Sequence, residues 1–115
     1  MERWDVVRVN LPQPQGQAGR EQIGERPAVV IQVDAAIANL STVIVVPFTS
    51  NTASLRFFGS VLIVATPTNG LTCDSIALIQ QLRVIDKRRI TRVVGKLSAD
   101  DLADIESKVR ELLGL

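Results

Sequence analysis

Five short apolar runs, rich in β-branched residues and bounded by turn residues, constrain the fold of this 115-residue chain more than any other feature. They lie at residues 4–11, 27–34, 42–48, 59–65 and 75–80. Runs of this length and spacing, with no long helical pattern between them, predict a small barrel or curled antiparallel sheet rather than a doubly wound parallel sheet. In the first run, the alternating set that holds Val7, Val9 and Leu11 is the more apolar one and is predicted to face a core.

One helix is predicted, after Ser98. Ser98 and Asp101 have the spacing of a capping box, and Gly114 is predicted to end the helix. Its apolar stripe recurs at helical spacing at Leu102, Ile105, Val109 and Leu112. The predicted class is therefore mainly β with a C-terminal helix (α+β), in a single domain over 1–115, because one core serves a chain of this size.

The chain has no histidine and a single cysteine, Cys73. These counts exclude Ser-His-Asp and Cys-His nucleophiles and an internal disulfide, and they leave no histidine and cysteine set for zinc. Proton transfer would have to use carboxylates, hydroxyls or arginines. Because the chain has no apolar run of membrane-spanning length and no secretory-signal pattern, we expect a soluble cytoplasmic protein. We also expect neither a metal nor a cofactor.

The net charge of +1 hides an uneven distribution. Residues 83–96 contain six basic residues against one acid, and residues 98–115 contain five acids against two bases. Such a basic stripe would steer a polyanion to one face, although a solvated surface ribbon is the simpler interpretation.

A long loop, PQPQGQAGREQIGE at residues 12–25, separates the first two predicted strands. Loops of this length inside a compact domain are usually functional or mobile. The loop ends at Arg26 and Pro27, which places an arginine at a mouth of the predicted barrel; a surface arginine without a role fits the same pattern.

Four blocks of the sequence, in order, resemble the MazF/PemK toxins, the messenger-RNA interferases of bacterial toxin-antitoxin pairs. They are GREQIGERPAVVI at 19–31, VVPFTSN at 45–51, GLTCDSIAL at 70–78 and QLRVIDKRRI at 81–90. With the terminal helix, the resemblance covers nearly the whole chain. It implies an SH3-like small barrel of the MazF/PemK/CcdB type, usually a homodimer, and a cognate antitoxin whose disordered, often acidic tail fills the RNA groove.

The same resemblance implies a metal-independent, sequence-specific endoribonuclease that acts on single-stranded RNA through attack of the 2′-hydroxyl on the adjacent phosphate. Arg26 matches the family's Arg-Pro arginine and would hold the phosphate and stabilise its developing charge. Thr49 matches the hydroxyl residue of the second block and would bond a phosphoryl oxygen; alternatively it satisfies a nearby backbone group. Glu21 is the candidate general base, with a solvated loop acid as the alternative.

Eight further residues are candidate RNA contacts. They are Gln22, Ser50, Asn51, Gln80, Arg83, Lys87, Arg88 and Arg89. The basic members would follow the phosphate backbone and make binding salt-dependent. Gln80 departs from many relatives, which carry an acid there; this substitution would weaken or redirect the activity, or Gln80 simply keeps a hydrogen bond. Most of the four aromatic residues, which are Trp4, Phe48, Phe57 and Phe58, are expected in the core rather than stacked on bases.

Two other functions remain open on sequence alone. A barrel that binds RNA or protein without cutting it would explain Gln80 and the missing histidine. A gyrase poison of the CcdB group is disfavoured, because that group ends its helix with Trp-Gly-Ile and this chain has its only tryptophan at position 4.

Overall fold

The computed structural model describes residues 1–11 and 24–115. Its strands are β1 (Asp5–Leu11), β2 (Gly24–Val30), β3 (Thr42–Thr49), β4 (Ser60–Ile63), β5 (Ser75–Leu78), β6 (Arg83–Asp86) and β7 (Ile90–Lys96). The helices are α1 (Asp34–Asn39) and α2 (Ala99–Leu113), and 3-10 turns occupy Thr52–Arg56, Ile79–Gln81 and Lys87–Arg89. The predicted class, mainly β with a C-terminal helix, is confirmed. No helix in these residues is long and apolar enough to cross a membrane.

The strands form one antiparallel sheet in the order β4-β5-β3-β2-β1-β7, and β6 also pairs with β3. One edge of β3 pairs with β2; the other pairs first with β6, along Thr42 to Val45, and then with β5 at Phe48 and Thr49. Pro47 lies between these two segments, and proline has no N–H to give to a ladder. Within the described residues β4 and β7 have one partner strand each, so the predicted small barrel is confirmed as an open one.

Both faces of the central strands are buried. The first cluster consists of Val6, Val29, Val46, Phe48, Val61, Ile63, Ala77, Ile79, Leu97 and Ile105, and the second consists of Val7, Val9, Leu11, Ala28, Val30, Ile37, Val43, Val45 and Ile85. The sequence predicts that only the alternating set with Val7, Val9 and Leu11 is buried in β1. That prediction was incomplete, since Val6, on the other face of the strand, is fully buried as well. The cause lies in the covering elements: α2 packs on one face, whereas α1 and β6 supply Ile37 and Ile85 to the other.

The terminal helix begins and ends as predicted. The Ser98 hydroxyl accepts a hydrogen bond from the Asp101 N–H at 3.2 Å, and Gly114 takes the left-handed conformation at φ 72°. That conformation favours glycine and lets its N–H reach the carbonyl of Arg110. The predicted stripe buries Ile105 and packs Leu102, Val109 and Leu112 against the first cluster.

Three elements differ from the sequence prediction, and the aromatic residues agree with it only in part. Helix α1 is only six residues long, and β6 and β7 lie within the stretch interpreted only as a basic stripe. The alternation of β7 is concealed because its pairing with β1 shifts register twice and most of its residues are at least partly exposed. Of the four aromatic residues, most of which were expected in the core, Phe48 is buried and Trp4 packs against the first cluster, whereas Phe57 and Phe58 are exposed.

Gln32 joins β2 to β3 where the backbone ladder ends. The residue is 7% exposed; its side-chain amide donates to the carbonyl of Thr42, and its oxygen accepts from the N–H of Ile44, both at 3.1 Å. The side chain thus provides the two bonds that a paired strand residue would make, in a place where the β2 backbone is leaving the sheet.

Asn69 organises the loop between β4 and β5. Its side-chain oxygen accepts from the N–H groups of Thr66 and Leu71, both at 3.0 Å, and its amide donates to the carbonyl of Val64 at 2.9 Å. Because Asn69 is only 2% exposed, water cannot replace these bonds.

Two glycines let this loop lie directly against β7. A Cβ on Gly95 would lie 2.4 Å from the Asn69 carbonyl carbon, and one on Gly70 would lie 2.2 Å from the Val94 carbonyl oxygen. Gly70 also has φ +70°. The contact between loop and strand is therefore a backbone contact that any side chain at either position would disrupt.

We predict that Asn69→Ala lowers the free energy of unfolding by about 2 kcal/mol, because it leaves two N–H groups and one carbonyl of a part-buried loop without their side-chain partners. Urea unfolding followed by circular dichroism measures the change. The matched control is Asn39→Ala, which removes an exposed side-chain bond to the Ala35 carbonyl and is expected to cost less than about 0.5 kcal/mol. Equal effects of the two substitutions would contradict the organising role of Asn69.

Candidate active-site cleft

A cleft of about 230 Å³ opens where β1, β2 and β7 meet the end of β3 and the loop that Asn69 organises. Its lining residues are Arg8, Glu25, Arg26, Pro27, Phe48, Ser50, Gly70, Leu71, Thr72, Cys73, Ser75, Arg92 and Val94. Three of these are arginines and three carry hydroxyl groups, so the cleft combines positive charge with hydrogen-bond donors.

The register of the sheet explains why these side chains meet. Arg8 on β1 lies opposite Pro27 on β2 and opposite Arg92 on β7. Paired residues of antiparallel strands share a face, and this face is the one that buries Val6 two residues earlier. The cleft is therefore the open end of the first cluster, with the fully buried Phe48 among its apolar lining.

Arg26 and Thr49 share the opposite face of the sheet. Arg26 lies opposite Val9, which belongs to the second cluster. Ala28 on β2 pairs with Pro47 on β3. Because the strands are antiparallel, the same register extended by two residues places Arg26 opposite Thr49. Arg26 also lines the cleft, so it stands between the two faces.

Thr49 is buried at 7% exposure, and its hydroxyl accepts a hydrogen bond from the Asn51 N–H at 3.2 Å. The backbone role considered in the sequence analysis is thus present. Ser50 is exposed and lines the cleft, whereas the exposed Asn51 caps the next 3-10 turn by accepting from the Ala53 N–H at 3.1 Å.

Glu21 and Gln22, the candidate base and one candidate RNA contact, lie outside the residues that the structure describes.

The basic stripe is divided among separate surfaces rather than gathered in the cleft. Arg88 and Arg89 line a second cavity of about 380 Å³, and Gln80 and Arg83 line a third of about 380 Å³. The ammonium group of Lys87 donates to the Ile37 carbonyl at the end of α1. Arg92 is the residue of the stripe that reaches the cleft.

The comparisons with known proteins agree over the length of the chain. The family model described as PemK-like, MazF-like toxin of type II toxin-antitoxin system matches residues 2–113. The chain belongs to the PemK/MazF toxin family. Endoribonuclease MazF9 from Mycobacterium tuberculosis is 36% identical to this toxin over 120 residues, which cover 100% of this chain and 98% of that protein.

Solved structures share the fold of this toxin. MazF from Deinococcus radiodurans superimposes with a TM-score of 0.80 at 27% identity, covering 100% of this chain and 97% of that one. A MazE-MazF structure from the same organism gives a TM-score of 0.75 at 23% identity, covering 100% of this chain and 96% of that one. The predicted family and fold are confirmed.

The Asp86 carboxylate binds Arg88, which is one of the toxin's candidate RNA contacts. The Arg88 guanidinium donates to both carboxylate oxygens of Asp86, at 3.0 and 3.1 Å, and this side-chain bond is the main cause that lowers the pKa of Asp86 to about 2. A pKa below the unfolded value of about 3.9 means that the pair forms above that pH and is lost as the pH falls towards 2. Arg88 is therefore engaged at neutral pH.

Gln80 occupies the 3-10 turn after β5. Its side-chain oxygen is buried and has no hydrogen-bond partner in the part of the chain that the structure describes. Gln80 is thus a partly buried polar residue whose side-chain acceptor is unsatisfied, so the alternative that it keeps a hydrogen bond through this oxygen is not seen within the described residues.

Sequence reasoning missed Arg8, Glu25 and Thr72 as cleft residues and did not separate Arg92 from the stripe. Arg8 and Glu25 form an ion pair at 3.5 Å across β1 and β2. Their positions depend on strand pairing between distant segments, for which the sequence carries no local signal. No three Asp, Glu or Cys side chains within residues 1–11 and 24–115 come together in a way that would hold a metal ion.

We predict that Asp86→Asn raises the affinity of the toxin for single-stranded RNA about two- to fivefold, because it releases Arg88 and removes one negative charge. Fluorescence anisotropy with RNA methylated at every 2′-oxygen, which lacks the attacking hydroxyl, measures the change. Glu106→Gln on α2 is the matched control, since Glu106 pairs with Arg110 at 3.7 Å on the helix. An equal gain in both variants would show that Arg88 contributes nothing specific.

Proposed function

We propose that this toxin cuts single-stranded messenger RNA at specific sequences in the cytoplasm, without a metal ion, by using the 2′-hydroxyl of its substrate as the nucleophile. The predicted enzyme class, an endoribonuclease, is confirmed by the family and by its MazF relatives. One observation carries the finer proposal: Arg26 lines a cleft that also holds two further arginines and the hydroxyl of Ser50.

The proposed reaction is an internal transesterification. The 2′-oxygen forms a bond to the adjacent phosphorus, the bond from phosphorus to the 5′-oxygen breaks, and the products carry a 2′,3′-cyclic phosphate and a 5′-hydroxyl. The 2′-hydroxyl gives its proton to a base, and the leaving oxygen takes one up. Arg26 has a planar guanidinium that holds two phosphoryl oxygens and neutralises the charge that develops on them.

Thr49 is proposed to bind a phosphoryl oxygen beside Arg26. A hydroxyl group has two acceptor lone pairs and one donor proton. The bond that Thr49 accepts from Asn51 therefore leaves its proton available to the substrate and also fixes the position of the oxygen. The backbone role and the site role of Thr49 are compatible.

Glu21 remains the proposed general base. Glu25 is the acidic residue found in the cleft among the described residues, and its carboxylate is 3.5 Å from Arg8. This ion pair gives Glu25 a role in balancing the charge of Arg8. Glu21 is kept as the base because it matches the Glu-Gln pair of the family motif.

A barrel that binds RNA without cutting it is the second candidate. The neutral side chain of Gln80 favours it, because the family resemblance implies an acid at that position, and an amide neither carries that charge nor accepts a proton. The two functions differ in one observable, the appearance of new RNA ends.

We predict that the wild-type toxin cuts a long single-stranded RNA in EDTA and that Arg26→Ala lowers the rate about 100- to 1,000-fold, as loss of a main transition-state donor does. Thr49→Val is expected to lower the rate about 10- to 100-fold for the same reason. End mapping identifies the cleavage sequence and the cyclic phosphate.

Arg110→Ala, on the exposed face of α2, is the control and is expected to keep the wild-type rate. Wild-type cutting by a folded Arg26→Ala protein would remove Arg26 from the mechanism. Intact RNA that is nevertheless bound by the wild type would favour the non-cleaving alternative.

The proposed partners are a cognate antitoxin and a second copy of the toxin. The MazE-MazF structures from Deinococcus radiodurans support the first. The second is supported by exposed apolar side chains on and after the Thr52–Arg56 turn and on β4, two elements that contact each other, since contiguous apolar patches mark protein interfaces. They are Leu55, Phe57, Phe58 and Leu62.

We predict that the antitoxin and RNA compete, because a disordered acidic tail would meet the same cationic groups as the phosphates. Addition of antitoxin should raise the apparent Kd for 2′-O-methyl RNA in proportion to its concentration. RNA binding with unchanged affinity in the saturated complex would show that the antitoxin binds elsewhere.

A further inference from the structure

Two arginines face each other across neighbouring strands in the cleft. Arg8 on β1 and Arg92 on β7 are directly paired, and both line the cleft. The Cβ atoms of directly opposite residues lie about 4.5–5.5 Å apart, and like charges at such positions destabilise a sheet. An anion bound between the two guanidinium groups would relieve this repulsion.

The described residues place one carboxylate, that of Glu25, beside this pair of arginines. Glu25 pairs with Arg8 at 3.5 Å, and its own side chain is 59% exposed. Within the residues that the structure describes, Arg92 makes no ion pair or side-chain hydrogen bond, and its side chain is exposed. One carboxylate is therefore paired with one of the two guanidinium groups, which leaves the pair of arginines with an excess of positive charge.

We propose that Arg8 and Arg92 form a second phosphate site, which binds an RNA phosphate next to the one being cleaved at Arg26. This proposal rests on the proposed function, because it assigns neighbouring phosphates of one substrate to neighbouring arginines. The guanidinium fork bonds two oxygens of a phosphate at once, so two facing forks surround it from both sides. The role is one of positioning: the site sets which phosphate reaches Arg26.

The size of the cleft agrees with a single segment of a longer chain. Its volume of about 230 Å³ lies below the roughly 300–1,000 Å³ of sites that enclose a whole small molecule. Beside the two arginines it offers the apolar surfaces of Pro27 and Phe48 and the hydroxyl of Ser50. A phosphate with its attached ribose needs this mixture of charge, apolar contact and hydroxyl groups.

The far wall of the cleft is held in a fixed position relative to Arg92. The wall residues Leu71 and Thr72 follow Asn69 and Gly70, and Gly70 contacts the backbone of Val94, two residues after Arg92 on the same strand. This wall is therefore in place before the ligand arrives, so that the entropic cost of ordering falls mainly on the arginine side chains.

Nucleic acid is favoured over an acidic peptide because of the proposed role of Arg26. The pair lies in the same cleft as Arg26, which the proposed function places on the phosphate that is cut, so a neighbouring phosphate of the same strand lies within reach of the pair. Binding of an acidic peptide is made a separate outcome of the test.

The test uses Arg8→Gln, Arg92→Gln and the double variant, with Arg110→Gln as the control for loss of an exposed arginine. Binding of a 20-nucleotide random pool of 2′-O-methyl RNA is measured by anisotropy between 50 and 300 mM salt. Circular dichroism confirms that each variant is folded. A second measurement follows cleavage of unmodified RNA and separates kcat from KM.

We expect each single variant to weaken RNA binding about three- to tenfold at low salt, and the double variant to reduce the slope of log K against log salt by about 0.7, the loss of one phosphate on a single strand. In cleavage, KM should rise while kcat changes little, because Arg26 remains in place. Arg110→Gln should change neither quantity.

Unchanged affinity and slope in the folded double variant would overturn the proposal, whether or not the wild type cuts RNA. A wild type that binds without cutting would refute the proposed reaction, yet a reduced slope in the double variant would still support the phosphate site. Loss of binding to a poly-glutamate peptide, with RNA binding intact, would overturn it in favour of a protein ligand. Absence of RNA binding by the wild type would overturn both proposals.

Discussion

Strand β3 is the element on which the rest of the structure depends, because it pairs along both edges and changes its partner along one of them. β2 follows one edge, and β6 and then β5 follow the other. The change occurs at Pro47, a residue that cannot donate a ladder bond. Because β3 continues past this point, its last residues bring Phe48 to the cleft and Thr49 to the opposite face, close to Arg26 in register. One strand thereby connects the core to the candidate site.

The division of the sheet into two buried faces determines where chemistry is available. The first cluster is closed at one end by α2 and opens at the other into the cleft. On this face of β1, Arg8 lines the cleft two residues after the last buried apolar residue, Val6. Cations therefore gather at the margin of an apolar core, where neighbouring groups are only partly hydrated and electrostatic contacts are stronger than on an open surface. This location suits the stabilisation of a charged transition state.

The extent of sequence prediction can be judged from particular elements. The limits of α2 follow from Ser98 and Gly114, since capping is local, and the central strands follow from their β-branched runs. The buried face of β1 and the course of β7 did not follow, because they depend on which element covers a strand and on irregular pairing between distant residues. Arg26 and Thr49 are candidates because of family motifs, and their roles remain proposals. Arg8 matches no such motif, and only the pairing of β1 with β7 brings it close to Arg92.

The burial of both faces has a consequence for how the sheet finds its alignment. In most sheets a shift of one residue exchanges an apolar face for a polar one, and this cost specifies the register. Here neighbouring valines such as Val6 and Val7, or Val45 and Val46, would merely exchange clusters. Hydrophobic patterning alone therefore discriminates weakly between alignments of the central strands. Polar contacts that tolerate no shift therefore select the correct strand register. The main one is Gln32, whose side chain bonds two backbone groups of β3.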